Sequence, residues 1–172
     1  NGINIHAIAQ GSSERNISAV IASKDVRKAV NTLHEEFFSD GKKQVNVFIV
    51  GVGTVGSRLI DQLASQHQHI LDELDLNIRL IGVANSKQAA VAEEGIDPFD
   101  YKNCLAAAPA SDIAAFAAAI VEQNLRNSIF VDVTANDKVV DVYPDLLRKS
   151  ISVIACNKIA ASSEYERYAY LK

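Results

Sequence analysis

The hexapeptide Gly51-Val52-Gly53-Thr54-Val55-Gly56 limits what this chain can fold into more than any other stretch. It follows the apolar run Val45 to Val50 without a break. It then opens a segment in which Gly56, Leu59, Ile60, Leu63 and Ala64 fall on one helical stripe. Glycines in this spacing occur by chance in many turns, but between a buried-strand run and an amphipathic helix each has a physical reason. Gly51 allows a tight turn, Gly53 lets bare backbone approach a diphosphate, and Gly56 lets the helix come close to the sheet. Exposed amides and the positive end of the helix dipole then hold the diphosphate. A triphosphate-binding loop is excluded, because G-x-x-x-x-G-K-[ST] needs lysine at position 57 and the chain has Ser57-Arg58.

Beyond the glycines the pattern alternates short apolar runs with long helical stretches, which predicts a doubly wound parallel α/β sheet of the Rossmann kind. The expected strands are Val45 to Val50, Ile78 to Ala84, Ile129 to Val133 and Ile151 to Ala155, apolar enough for a sheet covered on both faces. Ser111 is the expected N-cap of a helix in which Ile113, Phe116, Ala117, Ile120 and Val121 complete the apolar template. Pro144 suits the first turn of a helix running to Lys149 with Leu146 and Leu147 inward, and a last helix is expected near Ser162-Ser163. Upstream, Ile3 to Ala9 and Ile17 to Ala22 read as strands around a Gly11-Ser12-Ser13 turn. Asp25 to Phe38 reads as a helix with Val26, Val30, Leu33 and Phe37 at helical spacing. Such a β-β-α unit is too small to bury a core alone. The polar break Asp40-Gly41-Lys42-Lys43 sets the expected boundary, with residues 1–41 in the first segment and 42–172 in the nucleotide-type domain.

Composition narrows the function classes. Hydrophobic residues make up 48% of the 172 and charged residues 22%, as in globular domains. A net charge of -4, with no basic run longer than Lys42-Lys43, argues against nucleic acid as a partner. No apolar run approaches a bilayer span and the first residues do not form a signal peptide, so no membrane is expected and the location is read as cytoplasmic. Cys104 and Cys156 lie far apart and are expected to be reduced thiols. The four histidines have no ligand spacing, so no metal is assigned. Asp72, Glu73 and Asp75, and likewise Glu93-Glu94, read as solvated loop faces. The chain contains no methionine, which suggests that Asn1 lies inside a longer protein.

Open parallel sheets bind ligands beyond the carboxyl ends of their strands. The candidate segments are therefore Thr134-Ala135-Asn136 and Cys156-Asn157-Lys158. Thr134 and nearby amides could line a nicotinamide pocket. Lys158 could set an ammonium near a substrate carbonyl and stabilise the alkoxide formed as hydride arrives, although a lysine just past a strand is more often a solvated loop charge. Where such folds usually place an acid for the adenosine ribose, this chain has Asn85-Ser86-Lys87. A missing acid plus a hydroxyl and an ammonium favours NADP, with NAD allowed; a merely solvated Lys87 suits the sequence equally well.

These segments resemble one family. VFIVGVGTVGSRL, GVANSK, VDVTAN and ACNKIA are similar, in order, to the cofactor-domain motifs of homoserine dehydrogenase, and AIAQGSSERNISAVI resembles the end of the regulatory ACT region in the bifunctional aspartokinase-homoserine dehydrogenases. The resemblance implies reversible NADPH- or NADH-dependent reduction of aspartate 4-semialdehyde to homoserine, in threonine and methionine biosynthesis. It implies cofactor contacts from Gly51, Val52, Gly53, Thr54, Val55, Gly56, Ala84, Asn85, Thr134 and Ala135, to which Ser86 and Asn157 are added as candidates. It makes Lys158 an active-site lysine, and places Gln10 to Glu14 in a region that senses amino-acid effectors. A homo-oligomer is expected. The family's substrate and dimerisation domain is missing, so the fragment is expected to bind nucleotide with negligible dehydrogenase activity. Ala135 stands where a serine is expected, and Ala155-Cys156 replaces a more usual Thr-Pro. The alternatives are a non-catalytic ACT-linked nucleotide sensor, or a dehydrogenase of another semialdehyde or amino acid.

Overall fold

The computed structural model describes residues 2–11, 16–38 and 42–171. The chain divides into two compact units, Asn1–Gly41 and Lys42–Lys172. In the first, β1 (Ile5–Gln10) pairs antiparallel with β2 (Ile17–Ile21), with Ile8 opposite Ala19. One turn of 3-10 helix at Ser23–Asp25 leads into α1 (Val26–Phe38). None of the described residues of this unit is buried. Ile8, Ile17, Leu33 and Phe37 are among its exposed apolar side chains, as expected of a β-β-α piece too small to enclose a core. Ser12 and Ser13 of the expected turn, and Asp40-Gly41 of the expected break, lie outside the described residues.

The second unit runs β3 (Lys43–Val50), α2 (Thr54–Glu73), β4 (Leu76–Ala84), β5 (Ala89–Val91), α3 (Tyr101–Ala107), α4 (Ile113–Gln123), β6 (Ser128–Asp132), α5 (Asp137–Val140), α6 (Tyr143–Arg148), β7 (Ser152–Ala155), α7 (Ile159–Ser162) and α8 (Tyr165–Leu171). Its sheet has the order β5-β4-β3-β6-β7, parallel throughout except for the antiparallel edge strand β5. Successive β3 side chains point to opposite faces. Phe48 and Val50 join Ile81, Phe116, Ile120, Phe130, Tyr143 and Leu146 in the core beneath α4 and α6. Val47 and Ile49 join Ile60, Leu80, Val83, Tyr101 and Leu105 beneath α2 and α3. Two covered faces explain why the strands read as unbroken apolar runs. On the first face Phe130 lies between Phe116, 6.3 Å away between ring centroids, and Tyr143, 6.2 Å away and edge-on.

Several expectations are corrected in detail. The N-cap of α4 is Asp112, whose side chain accepts from the Ala115 amide at 2.8 Å, while the Ser111 hydroxyl donates to the Asp112 carbonyl at 3.3 Å. Helix α2 continues through Asp72 and Glu73, since Ile70 and Leu71 supply a further apolar turn after the polar stretch at 65–69. Only Asp75 is in the connection, at φ 51. The last helical region is split, with α7 ending at Ser162 and α8 starting at Tyr165, because Ser163 takes an extended backbone, ψ 176. Strands β6 and β7 each differ by one residue from the expected spans. Among the described residues no helix is long and apolar enough to cross a membrane.

Candidate functional site

Strand order reverses between β3 and β6. The chain goes from β3 through α2 to β4 on one side, and returns through α3 and α4 to β6 on the other. The loops leaving these two strands diverge and open a crevice at the carboxyl end of the sheet. A cleft of about 560 Å³ lies there, lined by Gly51, Val52 and Gly53 after β3, by Ala84, Asn85 and Ser86 at the end of β4, by Thr134 and Asn136 after β6, and by Lys138 of α5.

Each fingerprint glycine meets a distinct constraint. Gly51 has φ +95, and a Cβ there would lie 2.8 Å from Thr134 Cγ2 and 3.0 Å from the Val133 carbonyl oxygen. Its amide donates to the Ala84 carbonyl at 2.8 Å and ties the ends of β3 and β4 together. A Cβ on Gly56 would lie 1.8 Å from the Gly51 carbonyl oxygen, so α2 rests directly on the turn that precedes it. Nothing lies within 4 Å of a Cβ built on Gly53, which leaves bare backbone facing open space. Gly53 caps α2 without a side-chain acceptor, and no acidic residue occupies the first turn. The positive end of a 20-residue helix therefore has no neutralising carboxylate of its own, and its first amides are available to an anion. These residues fit a dinucleotide diphosphate in both shape and charge.

The loop after β4 is a tight turn built on Asn85. Its Oδ1 accepts from the amides of Lys87, at 2.7 Å, and Gln88, at 2.8 Å. The residue in the place of the usual acid thus spends its oxygen on its own backbone. The Lys87 carbonyl accepts from the Ser111 amide at 2.9 Å, and Gln88 Nε2 donates to the carbonyls of Ala106 and Ala108. Ser86 lines the cleft, whereas the exposed Lys87 is not among its lining residues. A second recess of about 260 Å³ shares Val52 and Asn85 with the cleft and adds Gln88, Tyr101 and Lys102, the Lys102 ammonium lying 5.8 Å from the Tyr101 ring centroid.

At the far end the decisive residue is Asp132, fully buried at 0% exposure. Its Oδ1 accepts from the Thr134 amide at 2.7 Å, and its Oδ2 from the Tyr143 hydroxyl at 2.6 Å and from Asn157 Nδ2 at 3.2 Å. Burial, and then the hydrogen bond and negative charge of Asp132, push the Tyr143 hydroxyl well above its ordinary pKa, so it stays a donor. Asn157 Nδ2 also donates to the Asn136 carbonyl at 2.9 Å, and Asn157 Oδ1 accepts from the Ile159 amide at 3.0 Å.

Of the expected site residues, the cleft therefore brings together Gly51, Val52, Gly53, Ala84, Asn85, Ser86 and Thr134. Gly56 lies buried beneath them. The side chains of Thr54 and Val55 line a different groove on the flank of α2, shared with Val131, Ile154 and Cys156. Ala135 is exposed and does not line the cleft; Asn157 is buried and its side chain is committed to Asp132 and Asn136; Lys158 is exposed at the start of α7. Missed from the sequence were the cleft-lining Lys138 and Asp112, and above all Asp132. A single acid inside the apolar run at 129–133 is the signal that could have found it, because a buried carboxylate must gather donors.

Comparisons with known proteins agree with this geometry. Residues 51–172 match the family described as homoserine dehydrogenase, NAD binding domain, and residues 1–37 match the ACT domain family. The chain is 37% identical over 171 residues to a bifunctional aspartokinase/homoserine dehydrogenase of Haemophilus influenzae and 34% identical over 172 residues to a chloroplastic one of Zea mays. In each case 99% of this chain is covered, against 21% and 19% of the relative, so the chain spans about a fifth of their length. Among solved structures, a hyperthermophilic archaeal homoserine dehydrogenase mutant in complex with NADPH superposes with a TM-score of 0.58 at 20% identity, over 74% of this chain and 40% of that one. An S. aureus homoserine dehydrogenase gives 0.54 at 21%, over 76% and 29%. These two likenesses support the same Rossmann-type fold. The resemblance drawn from the motifs is thus borne out: the chain belongs to the homoserine dehydrogenase NAD-binding family, with an ACT-domain segment ahead of it.

Proposed function

We propose that the cleft binds NADP, or NAD, and that the complete protein uses it to interconvert aspartate 4-semialdehyde and homoserine alongside an aspartate kinase activity. The observation that carries this reading is the open backbone at Gly53, next to an α2 N-terminus without an acid, at the point where strand order reverses. The amides from Val52 to Gly56 hold the diphosphate. Ser86 and Lys87, with Lys102 from the neighbouring recess, receive a 2′-phosphate where the usual acid is absent. Thr134 and Ala135 flank the nicotinamide, which supplies or accepts the hydride. Lys158 meets the substrate oxygen and stabilises its negative charge as the hydride transfers. An effector amino acid at the ACT segment, a homo-oligomer and a cytoplasmic location belong to the same reading. The exposed Ile8, Ile17 and Phe37 support association through the first unit.

Titration of the chain with NADPH and NADH, followed by nicotinamide fluorescence, tests the proposal. Saturable binding with NADPH the tighter ligand is expected. Lys87→Glu should weaken NADPH on the order of fivefold, as for an exposed ionic contact, and leave NADH unchanged. Absence of binding to either nucleotide would remove the reading.

A further inference from the structure

We infer that Asp132 is a positioning residue that connects the nucleotide cleft to Lys158, with Asn157 as the link and Tyr143 as the buried anchor. The inference rests on the function proposed above for the cleft and for Lys158.

The two oxygens of the Asp132 carboxylate do different work. Oδ1 receives the Thr134 amide and so shapes the β6 loop, whose Thr134 and Asn136 line the cleft. Oδ2 receives Asn157 Nδ2, and so reaches the loop that follows β7. Asn157 closes the connection from its side. Its Oδ1 takes the Ile159 amide at 3.0 Å, an Asx turn that encloses Lys158, and its second amide hydrogen goes to the Asn136 carbonyl at 2.9 Å. Lys158 is exposed and caps α7, while the residue before it is buried. Its backbone direction is therefore set by a side chain that Asp132 holds. Tyr143 Oη, 2.6 Å from Oδ2 in the protein interior, supplies a further donor and fixes the carboxylate plane.

The pairing of β6 with β7 does not itself depend on these three side chains, since the strands pair through their backbones from Ile129 opposite Ser152 to Asp132 opposite Ala155. What the cluster adds is a fixed distance and orientation between the ends of two neighbouring strands. Alignment of that kind matters to a transfer step, in which displacement of about 1 Å costs on the order of a hundredfold in rate.

Asp132→Asn separates the two roles. The new amide can keep its oxygen on the Thr134 amide, and Tyr143 can reverse its hydroxyl to accept from the new NH2 group. Asn157 Nδ2, however, then faces another donor, and that bond alone is lost. In the complete protein the expected result is a tenfold to hundredfold fall in kcat per nucleotide-binding site, with the NADPH dissociation constant changed no more than about threefold. Asn157→Asp brings two carboxylates together and should lower kcat. A purely structural cluster would reduce thermal stability and the number of binding sites but leave turnover per site unchanged. The inference is overturned if Asp132→Asn retains wild-type kcat per site, or if binding and turnover fall in the same proportion. A wild-type protein that binds neither nucleotide would remove the proposed function, and this inference with it.

Discussion

Gly53 and Gly56 are three residues apart, yet substitution by alanine should act on them in opposite ways. At position 56 the added methyl group would sit 1.8 Å from the Gly51 carbonyl oxygen, and ordinary contact begins at 3.4 Å, so the first turn of α2 must retreat by about 1.6 Å. The carbonyl has little room to yield, because the Gly51 amide is bonded to the Ala84 carbonyl at 2.8 Å and its own φ is +95. Alanine is favoured over glycine inside a helix by about 1 kcal/mol. Overpacking against fixed backbone costs about 2–3 kcal/mol. The clash wins, leaving the domain about 1–2 kcal/mol less stable and lowering Tm by about 4–8 °C. Displaced by that distance, the amides of the turn lose charge-assisted hydrogen bonds worth about 1.5–3 kcal/mol each, so nucleotide affinity should fall on the order of a hundredfold. Gly53→Ala meets nothing within 4 Å and keeps a backbone that alanine adopts readily, φ -74 and ψ -154. Its Tm should stay within about 2 °C of wild type. NADPH affinity should nevertheless fall at least about tenfold, because the methyl group fills the space reserved for the diphosphate. Calorimetry and fluorescence titration of both variants read the two quantities separately. A Gly56→Ala protein with wild-type Tm, or a Gly53→Ala protein with wild-type affinity, would refute the reasoning.

Three further outcomes follow from the same geometry. Asp112→Ala removes the α4 cap and should cost about 1 kcal/mol in chemical denaturation, whereas Ser111→Ala should stay within about 0.5 kcal/mol; equal effects would argue against the observed cap. Asn46, only 1% exposed, donates to the Arg126 carbonyl at 2.7 Å, so Asn46→Ala should destabilise by about 1–3 kcal/mol, with the midpoint of urea unfolding as the measure. The raised pKa of the Tyr143 hydroxyl means that the unfolded chain releases this proton first. Its contribution is whole below about pH 10, the ordinary tyrosine value, and is lost as pH climbs towards the folded value. Tyr143→Phe should therefore flatten the alkaline decline in stability by up to about 1.4 kcal/mol per pH unit, and an unchanged slope would count against a buried neutral hydroxyl.

The parallel sheet and its glycine turn were legible because strands buried on both faces leave unbroken apolar runs, and because the glycines sit between such a run and a periodic helix. The same reasoning passed over β5, whose three residues Ala89–Val91 carry too little pattern to register and take their place only by pairing with β4. It also passed over α3, whose seven residues contribute just Tyr101 and Leu105 to the core. Asp112 lost to Ser111 at the helix start because either side chain can cap, and only the backbone path decides which amide comes within reach. Around the cleft, the sequence located the backbone contributors Gly51 and Gly53 and the strand-end Thr134, since strand ends can be counted. It did not reveal that Asn157 faces inward, because that direction depends on a carboxylate 25 residues earlier in the chain.

The two margins of the five-stranded sheet have unequal chemical character. β5 is short and runs against its neighbour, and so offers little template to an incoming strand. At the opposite margin β7 pairs with β6 on one side and with no other strand among the described residues, and it presents Ile154 at 52% exposure. That margin displays free amides and carbonyls beside apolar surface, a combination that favours edge-to-edge association. Preparations of the isolated domain should consequently aggregate through β7, and a charge at the outward position Ile154→Lys is the substitution of choice for keeping it in solution.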